Sequence, residues 1–372
     1  MICALQAKKA ILVGLLLGGA WLGARAADEP RVVLPKMDVN APVERKKENP
    51  WRYSRIGEWE VLSEVSDSKS RSLLVGLRKF DHALRIIQPR LVGGAAAPLA
   101  ILLAREPFYR EIGGESARAG EFSQLLLVGK RPTIVMAADA EFAMIESDIG
   151  ANTVSPYRQL DRQYLRYAFT AHHVRLPAWL EEGLTQTLTD VEFRDSWVTY
   201  GKVDTEQNMP SGGQPESMVI KDFLAPTPEI AGLSFKQIFI HRSLMPLDEF
   251  FAARREDGSA PSSDSAWAKQ AYALVHFCLF GNKLRYQEPL AKLTTRLQTE
   301  PMSEPLFKEC FGIGYAKMAK ELRSYIVYTR HKYQRYPLKP DERLQPEPID
   351  FREATDAEIT RLTGAIPSGS LP

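Results

Sequence analysis

One stretch, residues 155–191, constrains the fold of this 372-residue chain more than any other. Its first half carries an apolar stripe at helical spacing and starts with Ser155 and Pro156, which suit an N-cap and the first helical position. Its second half starts again at Pro177 and shows a second apolar stripe at the same spacing. The stretch therefore predicts two helices joined by a short turn.

The first 26 residues have the composition of a secretory signal peptide. Lys8 and Lys9 form a basic start, residues 10–23 are apolar, and residues 24–26 read A-R-A, an A-x-A cleavage site. The apolar core is too short to span a bilayer comfortably, so we expect cleavage; an uncleaved anchor is the alternative. No later stretch is long and apolar enough for a transmembrane helix. We therefore expect an exported, soluble protein that is periplasmic or secreted.

The charge balance argues against nucleic acid as a partner. The chain has 48 Lys and Arg against 46 Asp and Glu, and loss of Lys8, Lys9 and Arg25 with the signal peptide leaves 45 against 46. A nearly neutral protein has no general attraction to nucleic acid or to an anionic membrane. We expect neither as a partner.

Hydrophobic periodicity divides the rest of the chain into four parts. Residues 27–50 are polar and predict a linker, and residues 51–150 predict an α+β subdomain with four strands. Residues 151–330 are helical in pattern, and residues 331–372 predict a Pro-rich tail with a last helical turn at 356–363. The expected fold class is α+β, with a small N-terminal mixed β-sheet and a helical C-terminal half.

Cys278 and Cys310 are the cysteines that follow the signal peptide, since Cys3 leaves with it. An even number of cysteines in an oxidising compartment is compatible with a disulfide between two late helices. Two buried thiols are the alternative, and the sequence leaves both open.

The stretch at 155–191 resembles the active-site segment of the peptidase MA-like (gluzincin) metallopeptidases. In that family one helix carries an H-E-x-x-H motif, and the next helix begins with a P-x-W-L-x-E-G sequence whose Glu is the third zinc ligand. Residues 177–183 read P-A-W-L-E-E-G, which puts Glu182 at the position of that ligand. The likeness covers roughly residues 51–328, although only 177–183 is specific.

The H-E-x-x-H position is altered in this chain. By the family's spacing from Trp179 it falls on R-Q-Y-L-R at residues 162–166, and no His elsewhere is followed by Glu. Zinc needs lone pairs from imidazole, thiolate or carboxylate, which the protonated guanidinium groups of Arg162 and Arg166 lack. Gln163 cannot accept a proton from water as a general base. We therefore expect no cofactor, no bound zinc and no zinc-dependent hydrolysis.

The two arginines suggest what replaces the metal. Arg162 and Arg166 are four residues apart and share one helical face, where their like charges repel. The resemblance implies that Glu182 lies opposite this face, so we expect Arg162, Arg166 or both to pair with Glu182. The alternative is that both arginines are ordinary surface residues. His173 could form a rewired zinc site with Glu182, but no further ligand has suitable spacing, and histidines at a helix C-terminus also interact with the helix dipole.

The resemblance also implies a substrate cleft. Candidate cleft residues are Tyr164, Trp179, His173, Tyr272 and His276, with core packing as the alternative for the last two. We expect a catalytically inactive metallopeptidase homologue that binds an unidentified peptide, protein or cell-envelope component through this cleft. An active hydrolase with a non-standard site at Glu182, and a structural envelope protein, are the alternatives. An open cleft at Trp179 and Tyr164 favours binding, whereas a filled one favours a structural role.

Overall fold

The computed structural model describes most of the chain between residues 51 and 364. The described ranges are 51–88, 98–112, 123–128, 131–139, 156–171, 176–189, 191–203, 222–225, 233–240, 242–254, 261, 265–329, 331–345 and 347–364. The predicted signal peptide and linker (1–50) and His173 lie outside these ranges. Within them, no helix has the length and apolar character needed to cross a membrane.

A mixed β-sheet forms the N-terminal part, as the sequence predicted. Its strands are β1 (Arg52–Ile56), β2 (Trp59–Ser63), β3 (Leu99–Ala104), β4 (Ser123–Val128), β5 (Arg131–Ala137) and β9 (Arg352–Glu353). They lie in the order β4-β5-β3-β2-β1-β9; β2, β3 and β5 run parallel, and the outer pairs are antiparallel. The sequence predicted four strands, with a single one across residues 51–65 where the structure has both β1 and β2, and it missed β9, so the sheet is larger than expected.

Both faces of the central strand β3 are covered, since all of its residues are buried. Helix α1 (Asp67–Ile87) and a later helix pack against Leu99, Ile101 and Leu103. Helix α2 (Glu106–Ile112) packs against the alternate residues on the other face. The alternation follows from the two-residue repeat of a strand.

Helices dominate the second half. They are α3 (Pro156–Ala171), α4 (Ala178–Thr189), α5 (Phe235–Phe239), α6 (Leu247–Ala252), α7 (Ala266–Phe280), α8 (Gln287–Arg296), α9 (Glu304–Phe311) and α10 (Tyr315–Tyr328). Helix α7 is buried along almost its whole length and forms the centre of this half. Helices α3 and α4 are the predicted pair. A Cβ at Gly183 of α4 would lie 2.6 Å from the Ala271 carbonyl of α7, so the two backbones are in close contact.

The segment predicted as a Pro-rich tail is built into the fold. Strand β8 (Gln334–Pro337) pairs with β7 (Trp197–Tyr200), which also pairs with β6 (Glu192–Arg194). Strand β9 joins the N-terminal sheet, and α11 (Asp356–Thr363) buries Leu362 against it. Pro-rich sequence is extended but is tolerated at sheet edges, which is where β8 and β9 lie.

Candidate functional site

Helix α3 connects the two halves of the structure. Its apolar side, which includes Leu160 and Tyr167, packs into the core between α1 and the sheet. The neighbouring helix α4 packs on α3 and on α7. The apolar sides of both helices pack against neighbouring elements. The polar side chains of Arg162, Arg166 and Glu182 therefore meet where α3 contacts α4.

Arg162 and Glu182 form a buried ion pair. Nη2 of Arg162 lies 2.5 Å from Oε1 and 2.6 Å from Oε2 of Glu182, and the two side chains are 19% and 8% exposed. Gln186 also donates to Oε1 of Glu182, across 2.8 Å. Nη2 of Arg166 is 4.0 Å from Oε2 of Glu182, and its side chain is 35% exposed. The predicted pairing is confirmed for Arg162, and Arg166 is at the distance limit of an ion pair.

The charges around Glu182 determine its ionisation. Burial alone would raise the pKa of the Glu182 carboxyl, but the charges of Arg162 and Arg166 and the hydrogen bonds from Gln186 and Arg162 hold this pKa below its ordinary value. The adjacent carboxyl behaves oppositely. Burial raises the pKa of Glu181, and the opposing charges of Arg166 and Arg162 only partly offset this. Glu182 is therefore the ionised partner of the pair.

Gln163, at the general-base position of the resembled motif, links α3 to the edge of the sheet. Its Nε2 donates to the Ser123 carbonyl of β4 across 3.1 Å and to the Ser123 hydroxyl across 3.3 Å. The side chain is buried, and its Oε1 has no hydrogen-bond partner among the described residues. The amide therefore holds β4 against α3.

Two of the predicted cleft residues lie in the core. Tyr164 is 1% exposed, packs edge-on against Trp59 and donates to Asp81 across 2.5 Å. Trp179 is 3% exposed and packs against Phe251. The prediction that they line an open cleft is wrong, because each ring fills space between helices and neighbouring core residues.

Tyr272 and His276 are also core residues. Both are on α7, which is enclosed by other helices, and the Tyr272 ring packs against Phe235. Nε2 of His276 lies 2.7 Å from the Gly201 carbonyl, and Nδ1 lies 2.8 Å from the Tyr325 hydroxyl. A carbonyl only accepts, so Nε2 carries the proton and Nδ1 accepts from Tyr325. Burial lowers the pKa of His276 to about 3, which keeps the ring neutral.

Cys278 and Cys310 are free and buried, so the structure contains two thiols in place of the disulfide that the sequence left open. They lie on α7 and α9, in the apolar cluster around α7. Burial raises the pKa of both thiols, which favours the protonated, unreactive form.

The residues at the position of the family's zinc do not fit a metal ion. Arg162 and Arg166 have no lone pair to give, and both oxygens of Glu182 already accept hydrogen bonds. Throughout the described part of the chain, no three His, Cys, Asp or Glu side chains lie together so as to hold a metal. The arrangement supplies charge and hydrogen-bond donors where α3 meets α4.

Three contributors to the site were missed from the sequence. Gln186 is four residues after Glu182 on the same helical face, so helical spacing could have identified it. Ser123 is distant in the sequence and carries no signal for its contact with Gln163. Glu181 was part of the sequence motif, but no effect of its charge on the site was predicted.

The chain matches no protein-family model, no curated protein and no solved structure. The resemblance to the gluzincins is therefore one of residues 162–166 and 177–183 alone.

Proposed function

We propose that this protein is an exported, non-catalytic relative of the gluzincin metallopeptidases that binds an extended peptide segment beside helices α3 and α4. The observation that carries the proposal is the contact of the Arg162 guanidinium with both oxygens of Glu182. A carboxylate held in this way cannot ligate zinc at the same time. Its neighbours Gln163 and Arg166 cannot activate water.

Strand β4 supports peptide binding next to this pair. It is the edge strand of the sheet, and its outer side has no partner strand among the described residues. An edge strand presents unpaired N–H and C=O groups to which an extended chain can add. The contact between Gln163 and Ser123 supports this location, because Arg166 follows Gln163 by about one turn of α3 and we expect an added peptide to run close to it. The binding surface proposed is therefore β4 with the polar side of α3, without Tyr164 and Trp179.

A structural envelope protein is the second candidate. The burial of Tyr164 and Trp179 favours it, because the space that an open cleft would occupy is filled at these two positions.

The test is to purify the protein and incubate it with unstructured peptides, with and without a chelator. We expect the peptides to be recovered intact and a subset to bind. Chelator-sensitive cleavage that is lost in E182A would overturn the non-catalytic assignment. Absence of peptide binding, together with absence of cleavage, would favour the structural role.

A further inference from the structure

The two arginines of the site differ in their surroundings. Arg162 is largely buried and contacts both oxygens of Glu182, whereas Arg166 is 35% exposed and lies 4.0 Å from the nearer oxygen. The carboxylate of Glu182 can neutralise only one of the two positive charges. Its oxygens already accept hydrogen bonds from Arg162 and Gln186. Arg166 therefore retains unused charge.

Among the described residues, the N–H donors of Arg166 also have no acceptor within hydrogen-bond distance. Apart from the 4.0 Å approach to Glu182, Arg166 makes no hydrogen bond or ion pair with any described residue. A guanidinium carries five N–H donors in a planar fork, and a partly desolvated guanidinium gains most from an acceptor that takes two of them at once. A carboxylate has this geometry. Arg166 also follows Gln163 by about one turn of α3, and Gln163 contacts Ser123 of the edge strand β4.

We propose that Arg166 is a carboxylate anchor, which binds the C-terminal carboxylate or an acidic side chain of the peptide, while Arg162 serves only to neutralise Glu182. This inference rests on the proposed function, because it assigns a chemical class to the ligand of the same site. Arg162 is excluded from this role because its Nη2 is already committed to both oxygens of Glu182.

Glu181 competes with a ligand carboxylate for the charge of Arg166. It lies beside Glu182 on α4, and the charge of Arg166 is the first of the influences that oppose the rise in its pKa on burial. Glu181 and Arg166 form no ion pair within 4 Å, so the interaction is long-range and a ligand carboxylate can displace it. Removal of the Glu181 charge should therefore strengthen binding, and removal of the Arg166 charge should weaken it.

The experiment uses three peptides, measured by isothermal titration calorimetry at about 0.15 M salt to keep screening physiological. They are acetyl-trialanine with a free carboxylate, the same peptide with a C-terminal amide, and acetyl-Ala-Glu-Ala amide. We expect at least one carboxylate peptide to bind wild-type protein about tenfold more tightly than the neutral amide, a difference typical of a charge-assisted hydrogen bond. Preference for the first identifies a C-terminal carboxylate as the ligand group, and preference for the third identifies an acidic side chain.

The variants are R166Q, R166K, E181Q and the control R158Q, which changes an exposed arginine two turns earlier on α3. R166Q should abolish the preference, R166K should retain part of it, E181Q should increase it, and R158Q should leave it unchanged. Equal affinity for all three peptides, no binding of any, or a preference that survives in R166Q would overturn the anchor. Folding of each variant is checked by circular dichroism, and R166K supplies the result if R166Q fails to fold.

Mass spectrometry of the peptides after titration separates this inference from the proposed function. Cleaved peptide would overturn the non-catalytic assignment, whereas intact peptide bound without a carboxylate preference would overturn the anchor alone.

Discussion

Arg162 donates from one guanidinium nitrogen to both carboxylate oxygens of Glu182, across 2.5 and 2.6 Å, and so joins α3 to α4. Both side chains are mostly buried, so water can solvate little of the charge that remains when either partner is removed. This condition distinguishes it from the exposed ion pairs of the surface.

Removal of one partner should be costly. We expect E182A to lower the free energy of unfolding by about 3–5 kcal/mol, because the largely buried Arg162 is left uncompensated. The loss in R162A should be smaller, because Arg166 still lies 4.0 Å from Glu182. The double variant R162L/E182L should recover most of the loss seen in E182A, since a buried pair can be replaced by apolar side chains of similar volume. Urea denaturation measures both. A loss below about 1 kcal/mol in both single variants, the size expected of a surface pair, would contradict the buried pair.

Replacement of the Gln163 amide by a carboxylate should destabilise the protein. In Q163E the donor to the Ser123 carbonyl is replaced by an acceptor, so two acceptors face each other in a buried place. We expect a loss of about 1–3 kcal/mol at neutral pH, the cost of an unsatisfied buried polar group. Part of this loss should be regained as the pH falls and the new carboxyl takes up a proton. Q163M is the matched apolar control; a Q163E protein as stable as wild type at pH 7 would contradict the contact.

His276 and His331 should make stability depend on pH. Burial lowers the pKa of His276 to about 3 and that of His331 to about 4, from an ordinary 6.5, so the unfolded chain binds protons first as the pH falls. The contribution of these two rings to stability is therefore complete above pH 6.5 and decreases below it, by about 1.4 kcal/mol per pH unit for each fully neutral ring. The raised pKa values of Asp161 and Glu181 act in the opposite direction, so the comparison of variants, and not the total slope, reports the histidines. Glu182 adds to the decrease only below pH 4.5, because its pKa lies under that ordinary value.

Unfolding curves recorded between pH 7.5 and 4.5 test this, with H276F as the comparison. H276F should be less stable at pH 7.5, because the Gly201 carbonyl and the Tyr325 hydroxyl lose their partner, but should show a shallower pH dependence. Identical slopes for H276F and wild type would contradict the assignment of a neutral His276.

The contact of α4 with α7 should be intolerant of added volume. A Cβ at Gly183 would overlap Cγ2 of Val275 and would lie 2.6 Å from the Ala271 carbonyl, well inside contact distance. We expect G183A to cost about 1–3 kcal/mol through overpacking. V275A in the G183A background should recover part of this cost by removing one of the two clashes. Thermal denaturation measures both variants, and a G183A protein with unchanged stability would contradict the close approach.

The pairing of Arg162 with Glu182 was predictable, because motif spacing fixes which residues of two adjacent helices face each other. The burial of Tyr164 and Trp179 was not, because an aromatic residue on a helix has the same sequence pattern whether it fills a core or lines a cleft. Strands β1 and β9 are short and carry many polar residues, so their periodicity is weak. Strand β1 pairs with β2 across a tight local turn, whereas β9 joins β1 from the far C-terminal part of the chain, a contact that no local pattern reports.

We propose that Arg162, Arg166 and Glu182 occupy the three ligand positions of a former zinc site. The most direct measurement is the zinc content of R162H/R166H after dialysis against zinc, by mass spectrometry of the native protein. The chain supplies a matched control, because an R-Q-x-x-R pattern also starts at Arg158, and R158H/R162H makes the same change one turn earlier. The account predicts about one zinc per chain in R162H/R166H, lost on addition of E182A, and none in wild type or R158H/R162H. Equal zinc content in R162H/R166H and R158H/R162H would contradict it.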